Sequence, residues 1–315
     1  MSVPGIVTLT ANPAIDVSAS VDQVVPFHKL RCSGEKRDPG GGGINVARVL
    51  QRWKRDVTAI FPAGGTTGEL LKRLVDREGI RRHAIEITGD TREDVTVFET
   101  RTGKQFRFVF PGPPLTEKEW QACCDALSSV IPRPGFVVTS GSLPPGAPAD
   151  LYARVVKLSR RLGARPIVDT SGAALREALD EGVYLAKPNL RELSELAGRA
   201  LTDEDEWLEA SQRLVMTGRA QVLALTLGEQ GALAVTPNGA WRAHAPPVQA
   251  VSTVGAGDSF LGAMILRIAL GDEVAEALRY GVAAGSAALL AAGTELARPK
   301  DTEHLLAGVT IEKVR

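Results

Sequence analysis

From Val57 onward, short apolar runs alternate with stretches whose apolar residues recur every three or four positions. Val57-Thr-Ala-Ile-Phe61 predicts a strand, and Gly68 to Glu78 a helix stopped by Gly79. Phe136-Val-Val-Thr139 and Pro166-Ile-Val-Asp169 predict two more strands, joined by a helix from Ala149 to Leu162 that ends at Gly163. Tyr184-Leu-Ala-Lys187, a helix from Leu190, and Val222-Leu-Ala-Leu-Thr226 continue the series. These runs lack a clean polar–apolar alternation, which suits strands covered on both faces. Repeated strand–helix units predict an α/β fold with a doubly wound, mainly parallel sheet. Ligands of such sheets lie beyond the carboxyl ends of the strands. There the sequence places Ser140-Gly141-Ser142, Asp169, Asn189 and Gly228.

Two segments obey a different period. Asp16 to Val21 alternates polar and apolar residues, and so does Asp94 to Thr100, which continues through the turn Arg101-Thr-Gly-Lys104 into Gln105 to Phe110. Period two around a Gly-containing turn predicts a hairpin with one buried face. We read the chain, residues 1–315, as one domain with a small β-sheet lid inserted at about 15–37 and 92–110, over the ligand edge. An extra edge hairpin on the main sheet fits the alternation equally well.

Charge and composition narrow the partners. Lysine plus arginine and aspartate plus glutamate both total 37, so no basic excess exists to displace counterions from nucleic acid or to hold an anionic membrane. Cys32, Cys123 and Cys124 form no Cys-x-x-Cys pair, and His28, His83, His244 and His304 are scattered, so neither a disulfide framework nor a zinc site is indicated. Met1 to Asp16 lacks the pattern of a signal peptide, and the longest apolar stretch, Gly281 to Gly293, is too short to span a bilayer. The expected location is cytoplasmic.

Three segments carry candidate chemistry. Ser252-Thr-Val-Gly255-Ala256-Gly257-Asp258 runs into the helical pattern Leu261 to Leu270. Glycines at a helix start let backbone N–H groups converge on an anion. Asp258 falls in the first turn, where the helix dipole favours the ionised carboxylate. A carboxylate beside an anion cradle suits a base that accepts a hydroxyl proton during phosphoryl transfer. The same residues also make an ordinary capped helix start. No Gly-x-x-x-x-Gly-Lys-Ser/Thr loop occurs. Gly40 to Gly43, followed by Ile44-Asn45-Val46-Ala47-Arg48, predicts a glycine loop open to a ligand and a helix start whose N–H groups and Asn45 amide suit sugar hydroxyls. In Lys187-Pro-Asn189-Leu-Arg-Glu192, Asn189 and Glu192 share a helix face and suit a hydrated Mg²⁺, or simply a solvated helix start.

Taken together, Gly-Gly-x-Gly-x-Asn near the start and Gly-Ala-Gly-Asp near the end resemble the two signatures of the ribokinase/PfkB carbohydrate kinases. The resemblance covers essentially the whole chain, including Leu9-Thr10-x-Asn12-Pro13-Ala14-x-Asp16 and Thr226-Leu-Gly228-x-x-Gly231. It implies ATP as phosphoryl donor, Asp258 as base, and Gly255, Ala256 and Gly257 as the anion hole. It implies that Asp16, Gly41, Gly42 and Asn45 bind the sugar, with Ser142 at the same edge. Lys187, Asn189 and Glu192 would line the ATP phosphates and Mg²⁺, while Thr226, Gly228, Gly231 and Ser286 would hold the nucleotide. A K⁺ site made largely of backbone carbonyls would fall at Ser252, Val254, Ala288, Ala291, Gly293 and Glu295.

The opening Thr-Leu-Thr run resembles the phosphosugar branch, which needs cations for the acceptor's own phosphate. Lys29, Arg31, Arg92 and Arg107 are the candidates. Gly42 stands where 1-phosphofructokinases and tagatose-6-phosphate kinases usually carry lysine, so fructose 6-phosphate is the expected acceptor. Those two phosphosugars are the alternatives within the class, and a non-catalytic sugar or nucleotide sensor is the alternative outside it. The resemblance also implies a homodimer whose lids pack together, with Phe106, Phe108 and Phe110 supplying apolar surface.

Overall fold

A computed structural model describes residues 4–291 and 293–314. The first residues of the Met1 to Asp16 segment and Ala292 in the Gly281 to Gly293 run lie outside it. The chain opens with β1 (Ile6–Leu9), β2 (Ala14–Val21), β3 (Ser33–Gly40), α1 (Gly42–Arg52), β4 (Val57–Ala63), α2 (Gly65–Arg77) and β5 (Arg81–Glu86). The hairpin β6 (Arg92–Glu99) and β7 (Gln105–Phe108) follows. Alternation then sets in: α3 (Glu117–Ser129), β8 (Phe136–Ser140), α4 (Leu151–Arg161), β9 (Arg165–Asp169), α5 (Gly172–Asp180), β10 (Val183–Ala186), α6 (Leu190–Ala197), α7 (Glu204–Met216) and β11 (Ala220–Thr226). The last part holds β12 (Ala232–Thr236), β13 (Gly239–His244), α8 (Ala256–Leu270), α9 (Val274–Ala288), α10 (Pro299–Leu306) and β14 (Thr310–Lys313).

Among the described residues the strands form two sheets. The larger has ten strands in the order β14-β13-β12-β11-β10-β9-β8-β1-β4-β5. Its seven strands from β11 to β5 are parallel. The apolar runs read as strands all fall among them, while the edge strand β5, Arg-Arg-His-Ala-Ile-Glu, is polar and partly exposed. Neighbouring residues serve opposite faces: Val137 packs into one core and Val138 into the other. The antiparallel strands β12, β13 and β14 extend one edge. This extension was not read from the pattern, although Asn238-Gly239, at the turn into β13, is a hairpin signal.

The smaller sheet has the order β3-β2-β6-β7. Its central pair, β2 and β6, is parallel, from Ala14 opposite Arg92 to Val21 opposite Glu99. β3 escaped the sequence reading because its first five residues are exposed and polar or small, leaving no alternation to detect. The glycine run is also shorter as a loop than expected. Gly40 ends β3, Gly41 alone bridges, and Gly42 and Gly43 already belong to α1.

α8 is apolar round most of its circumference because it is packed between α1 and α9. Close approach of α1 depends on Gly262, where an added Cβ would lie 2.7 and 2.9 Å from Cγ1 and Cβ of Val49. In an open helix, Gly→Ala stabilises by up to about 1 kcal/mol. Here the stiff β-branched Val49 cannot swing aside, so the helices must separate. Gly262→Ala is expected to destabilise by about 1–3 kcal/mol, read as a lower urea midpoint.

Candidate active site

The carboxyl ends of β1, β8 and β9, the start of α1 and the start of α8 converge under the small sheet. Between them lies a cleft of about 330 Å³ lined by Asp16, Gly41, Gly42, Asn45, Arg92, Asp94, Arg107, Ser140, Ser142, Asp169, Glu192 and Asp258, among others.

The start of α8 follows Gly255, whose φ of 75° is the left-handed conformation a glycine adopts without strain. No side chain caps this helix start, so its first N–H groups are left for another acceptor. Asp258 in the first turn accepts a hydrogen bond from Asn45 Nδ2 at 2.9 Å. The dipole argument alone predicted an easily ionised carboxyl. Instead, burial and the nearby Asp169 push Asp258 up to about 6, against the lowering effects of Asn45, Lys187 and Arg107.

Lys187 is buried just past β10 and pairs with Asp169 at 3.0 Å. Burial opposes its charge, but Asp169 outweighs that and holds its pKa above the ordinary lysine value. Its ammonium faces Gly257, where an added Cβ would lie 3.5 Å from Nζ. An ammonium and a helix N-terminus thus converge on one point, which suits an anion.

Asp16 on β2 is buried, and its carboxylate accepts no hydrogen bond from another described residue. Burial pushes it up to about 6; Arg107 opposes this, Asp94 adds to it, and Arg48 and Asp258 are weaker influences. The glycine run fits around this carboxylate. A Cβ on Gly40 would lie 2.4 Å from the Asp16 carboxyl, and one on Gly42 2.2 Å from Ser140 Oγ and 2.9 Å from Gly141 N. Gly42 is therefore demanded by the packing of α1 on the end of β8, and a lysine there requires the loop to move.

The four candidate cations separate. Arg107 has an exposed guanidinium beside the cleft with no ion-pair partner among the described residues. Arg92 also lines the cleft but is bound to Asp94 at 3.2 Å, to the Phe110 carbonyl at 2.7 Å and to the Asn12 carbonyl at 3.0 Å. Lys29 and Arg31 do not line the cleft of their own chain. They sit exposed on the loop after the far end of β2, whereas Asp16 lies near its beginning.

A second groove, about 270 Å³, is lined by Asn189, Leu190, Arg191, Trp207, Thr226, Leu227, Gly228 and Gln230. Asn189 and Glu192 form a reciprocal cap on α6, each side chain accepting the other's backbone N–H at 2.9 Å. Glu192 also lines the first cleft, linking the two. Gly231 and Ser286 line neither: Gly231 closes the turn into β12 under the Ala243 carbonyl, and Ser286 is buried in α9.

The six positions read as a K⁺ site come from two stretches that do meet. Val251 N donates to the Leu289 carbonyl at 2.7 Å, and Ser252 Oγ to the Gly293 carbonyl at 2.7 Å. The Glu295 carboxylate is taken by Arg52 at 3.0 Å and Lys36 at 3.6 Å. Although burial opposes it, these cations and Arg298 hold that carboxyl down at about 2. Glu295 therefore offers such a site its carbonyl only.

Sequence reasoning missed Arg48 and underrated Asp94 and Asp169. The signal for Asp169 was present, an acid at the carboxyl end of a predicted strand. Arg48 was legible only as a residue one helical turn beyond Asn45.

A doubly wound α/β body with an acid and a helix N-terminus at one cleft, and a buried ammonium behind that helix start, is the arrangement of a phosphotransferase. The pfkB family carbohydrate kinase model matches residues 9–301, and the chain belongs to that family. It is 46% identical to the ATP-dependent 6-phosphofructokinase isozyme 2 of Mycobacterium tuberculosis over 301 residues, covering 96% of this chain and 88% of the relative. Phosphofructokinase-2 from Escherichia coli in complex with fructose-6-phosphate superposes with a TM-score of 0.91 at 40% identity, over 96% of this chain and 98% of the other. The same enzyme in complex with potassium gives 0.92 at 42%, with the same coverage.

The two acids near 6 make a stability prediction. A carboxyl raised above its unfolded value of 3.8 favours the fold while protonated. That contribution is present below about 4 and lost as pH rises through about 6. Asp16→Asn removes the buried charge, so its melting temperature should exceed that of the unsubstituted chain at pH 8. The gap should close by pH 4, as followed by calorimetry.

Proposed function

We propose that this protein transfers the γ-phosphoryl group of ATP to the 1-hydroxyl of fructose 6-phosphate. The observation that carries the reading is Asp258, a carboxylate at an uncapped helix start, lining one cleft with Arg107 and close enough to the buried Lys187 for its charge to act on it. The extent and level of identity to 6-phosphofructokinases support the acceptor.

In this mechanism the acceptor lies over Gly41 and Gly42, with Asp16 taking hydrogen bonds from its hydroxyls. Arg107 meets the phosphate already on the sugar, and Arg92 adds its charge from a fixed position. A second oxygen remains on Asp258 beside the one bound by Asn45, and it receives the hydroxyl proton as the bond from the 1-oxygen to the γ-phosphorus forms. The bond from the γ-phosphorus to the β–γ bridging oxygen breaks, and the bridging oxygen leaves with ADP. Negative charge on the transferring group is met by the N–H groups of Ala256, Gly257 and Asp258 and by Lys187. The base and the charge stabilisers are fixed before substrate arrives. Asn189, Thr226 and Gly228 line the groove offered to the nucleotide.

Mg²⁺ would neutralise the phosphates. Glu192 fits it, because its cap occupies Oε2 while Oε1, at the cleft, has only the exposed Arg191 at 3.8 Å, a loose pair that a divalent cation would displace. K⁺ fits the carbonyls of the Ser252–Val254 and Ala288–Glu295 stretches by donor type. Leu296, next to that turn, packs on Gly255 at the head of α8. Self-association through the small sheet is supported by the exposed Phe27, Phe108 and Phe110.

Asp258→Asn keeps shape and removes the base. Its turnover is expected to fall by about 10²–10⁴-fold while nucleotide binding is kept; near-normal turnover in the folded variant sinks the assignment. A coupled ADP-release assay over a panel of sugar phosphates should give fructose 6-phosphate the highest kcat/KM. A tenfold lead needs only about 1.4 kcal/mol. Arg107→Ala should raise the KM for the sugar phosphate by about tenfold or more, leaving that for ATP nearly unchanged.

A further inference from the structure

We propose that Arg48 is a positioning residue for the base: by orienting the Asn45 amide, it makes Asn45 donate to Asp258 and bars it from accepting. The inference rests on the reading of Asp258 as the base.

Arg48 lies one turn beyond Asn45 on the same face of α1 and is only 1% exposed. Its Nε donates to Glu78 Oε1 at 3.0 Å, and Nη1 to the Pro39 carbonyl at 3.2 Å and to Asn45 Oδ1 at 3.4 Å. Nη2 reaches Asp38 Oδ1 at 3.5 Å. Asp38 is itself held by Thr294 Oγ1 at 2.7 Å and Lys36 at 3.1 Å. The guanidinium therefore cannot easily turn away from Asn45.

A guanidinium only donates, whereas a primary amide has one donating end and one accepting end. Against Arg48 the amide must present Oδ1, which leaves Nδ2 for Asp258 Oδ2 at 2.9 Å. The flipped amide would set its NH₂ against the guanidinium. It would also set its oxygen against Asp258, an arrangement that is favourable only when Asp258 is protonated and donates. A protonated Asp258 cannot take the hydroxyl proton. Arg48 thus removes the hydrogen bond that would stabilise the useless form of the acid. Burial and Asp169 already favour that form, while Lys187 and Arg107 oppose it. Arg48 also acts by charge on Asp16, which faces the same cleft and is influenced by Asp94 and Asp258 as well. The test has to separate this direct electrostatic route from the route through the amide.

The measurement is the pH profile of kcat in the full-length enzyme with saturating ATP and fructose 6-phosphate. It is made for the unsubstituted chain, Arg48→Met, Arg48→Lys, Asn45→Ala and the double variant Arg48→Met/Asn45→Ala. Arg48→Met is expected to move the acid limb upward by about one pH unit, so that activity below the limb falls about tenfold and recovers by pH 8.5. Arg48→Lys still only donates, so its limb should stay near the original. In the Asn45→Ala background, Arg48→Met should move the limb by less than about 0.3 unit, since the amide it acts through is gone.

An unmoved limb in Arg48→Met overturns the proposal. Equal movement in both backgrounds also overturns it, because the effect is then the charge of Arg48 alone. A limb in Arg48→Lys displaced as far as in Arg48→Met does so too. Should Arg48→Met not fold, Arg48→Met/Glu78→Gln, which neutralises one stranded carboxylate, is compared with Glu78→Gln on the same criteria. Failure of the base reading is a separate outcome: Asp258→Asn would then keep its turnover, whereas an inactive Asp258→Asn with an immobile limb rejects only the role of Arg48.

Discussion

The contact between the start of α1 and the start of α8 is the constraint on which the rest depends. It requires two glycines at separate points, Gly42 against Ser140 and Gly262 against Val49, before Asn45 and Asp258 can come within 2.9 Å. A side chain at Gly262 would push α8 away from α1, and one at Gly42 would lift α1 off the end of β8. The apolar wrapping of α8 fixes one partner, and the sheet fixes the other. The hydrogen bond at the centre of the cleft is therefore a result of core packing, not of local loop geometry.

That packing also sets the electrostatics. Two carboxyls, Asp16 and Asp258, are held near 6 because burial removes water from them faster than nearby cations compensate. A base with a pKa near 6 is a better proton acceptor than an ordinary aspartate and is still ionised at neutral pH. The cost is a fold strained by its own charges. Carboxylates withdrawn from water without a counter-ion are unfavourable in a core, and here both line a cleft in which a ligand can supply donors.

Much of this was legible from the residues. Five of the seven parallel strands, β4, β8, β9, β10 and β11, announce themselves as apolar runs, and the hairpin of β6 and β7 by its alternation. β1 was not read as a strand, and β5 is too polar and too exposed to show such a run. The polar edge at Ser140, Asp169 and Asn189 follows from where ligands bind such sheets. Three things were not legible, each for a physical reason. β3 is exposed along most of its length, so no period marks it. The Gly40–Gly43 run looked like an open loop because a sequence cannot say that Asp16, Thr10 and Ser140 crowd each of those positions. The ionisation of Asp258 depends on Asp169 and on burial, both set by tertiary packing, and these override the helix dipole that the sequence does show.

The parallel pairing of β2 with β6 has a mechanical consequence. Both strands leave the main body side by side, Ala14 opposite Arg92, and carry Asp16 and Asp94 at one common register. Arg107 is joined to them through the antiparallel pairing of β7 with β6. On the function proposed above, Asp16 and Arg107, which would meet the sugar, ride together on this small sheet, whereas Asn45, Lys187 and Asp258 belong to the body. A rotation of the sheet against the body would change the distances between the two sets together, so that recognition of the acceptor and its alignment for reaction would be one degree of freedom.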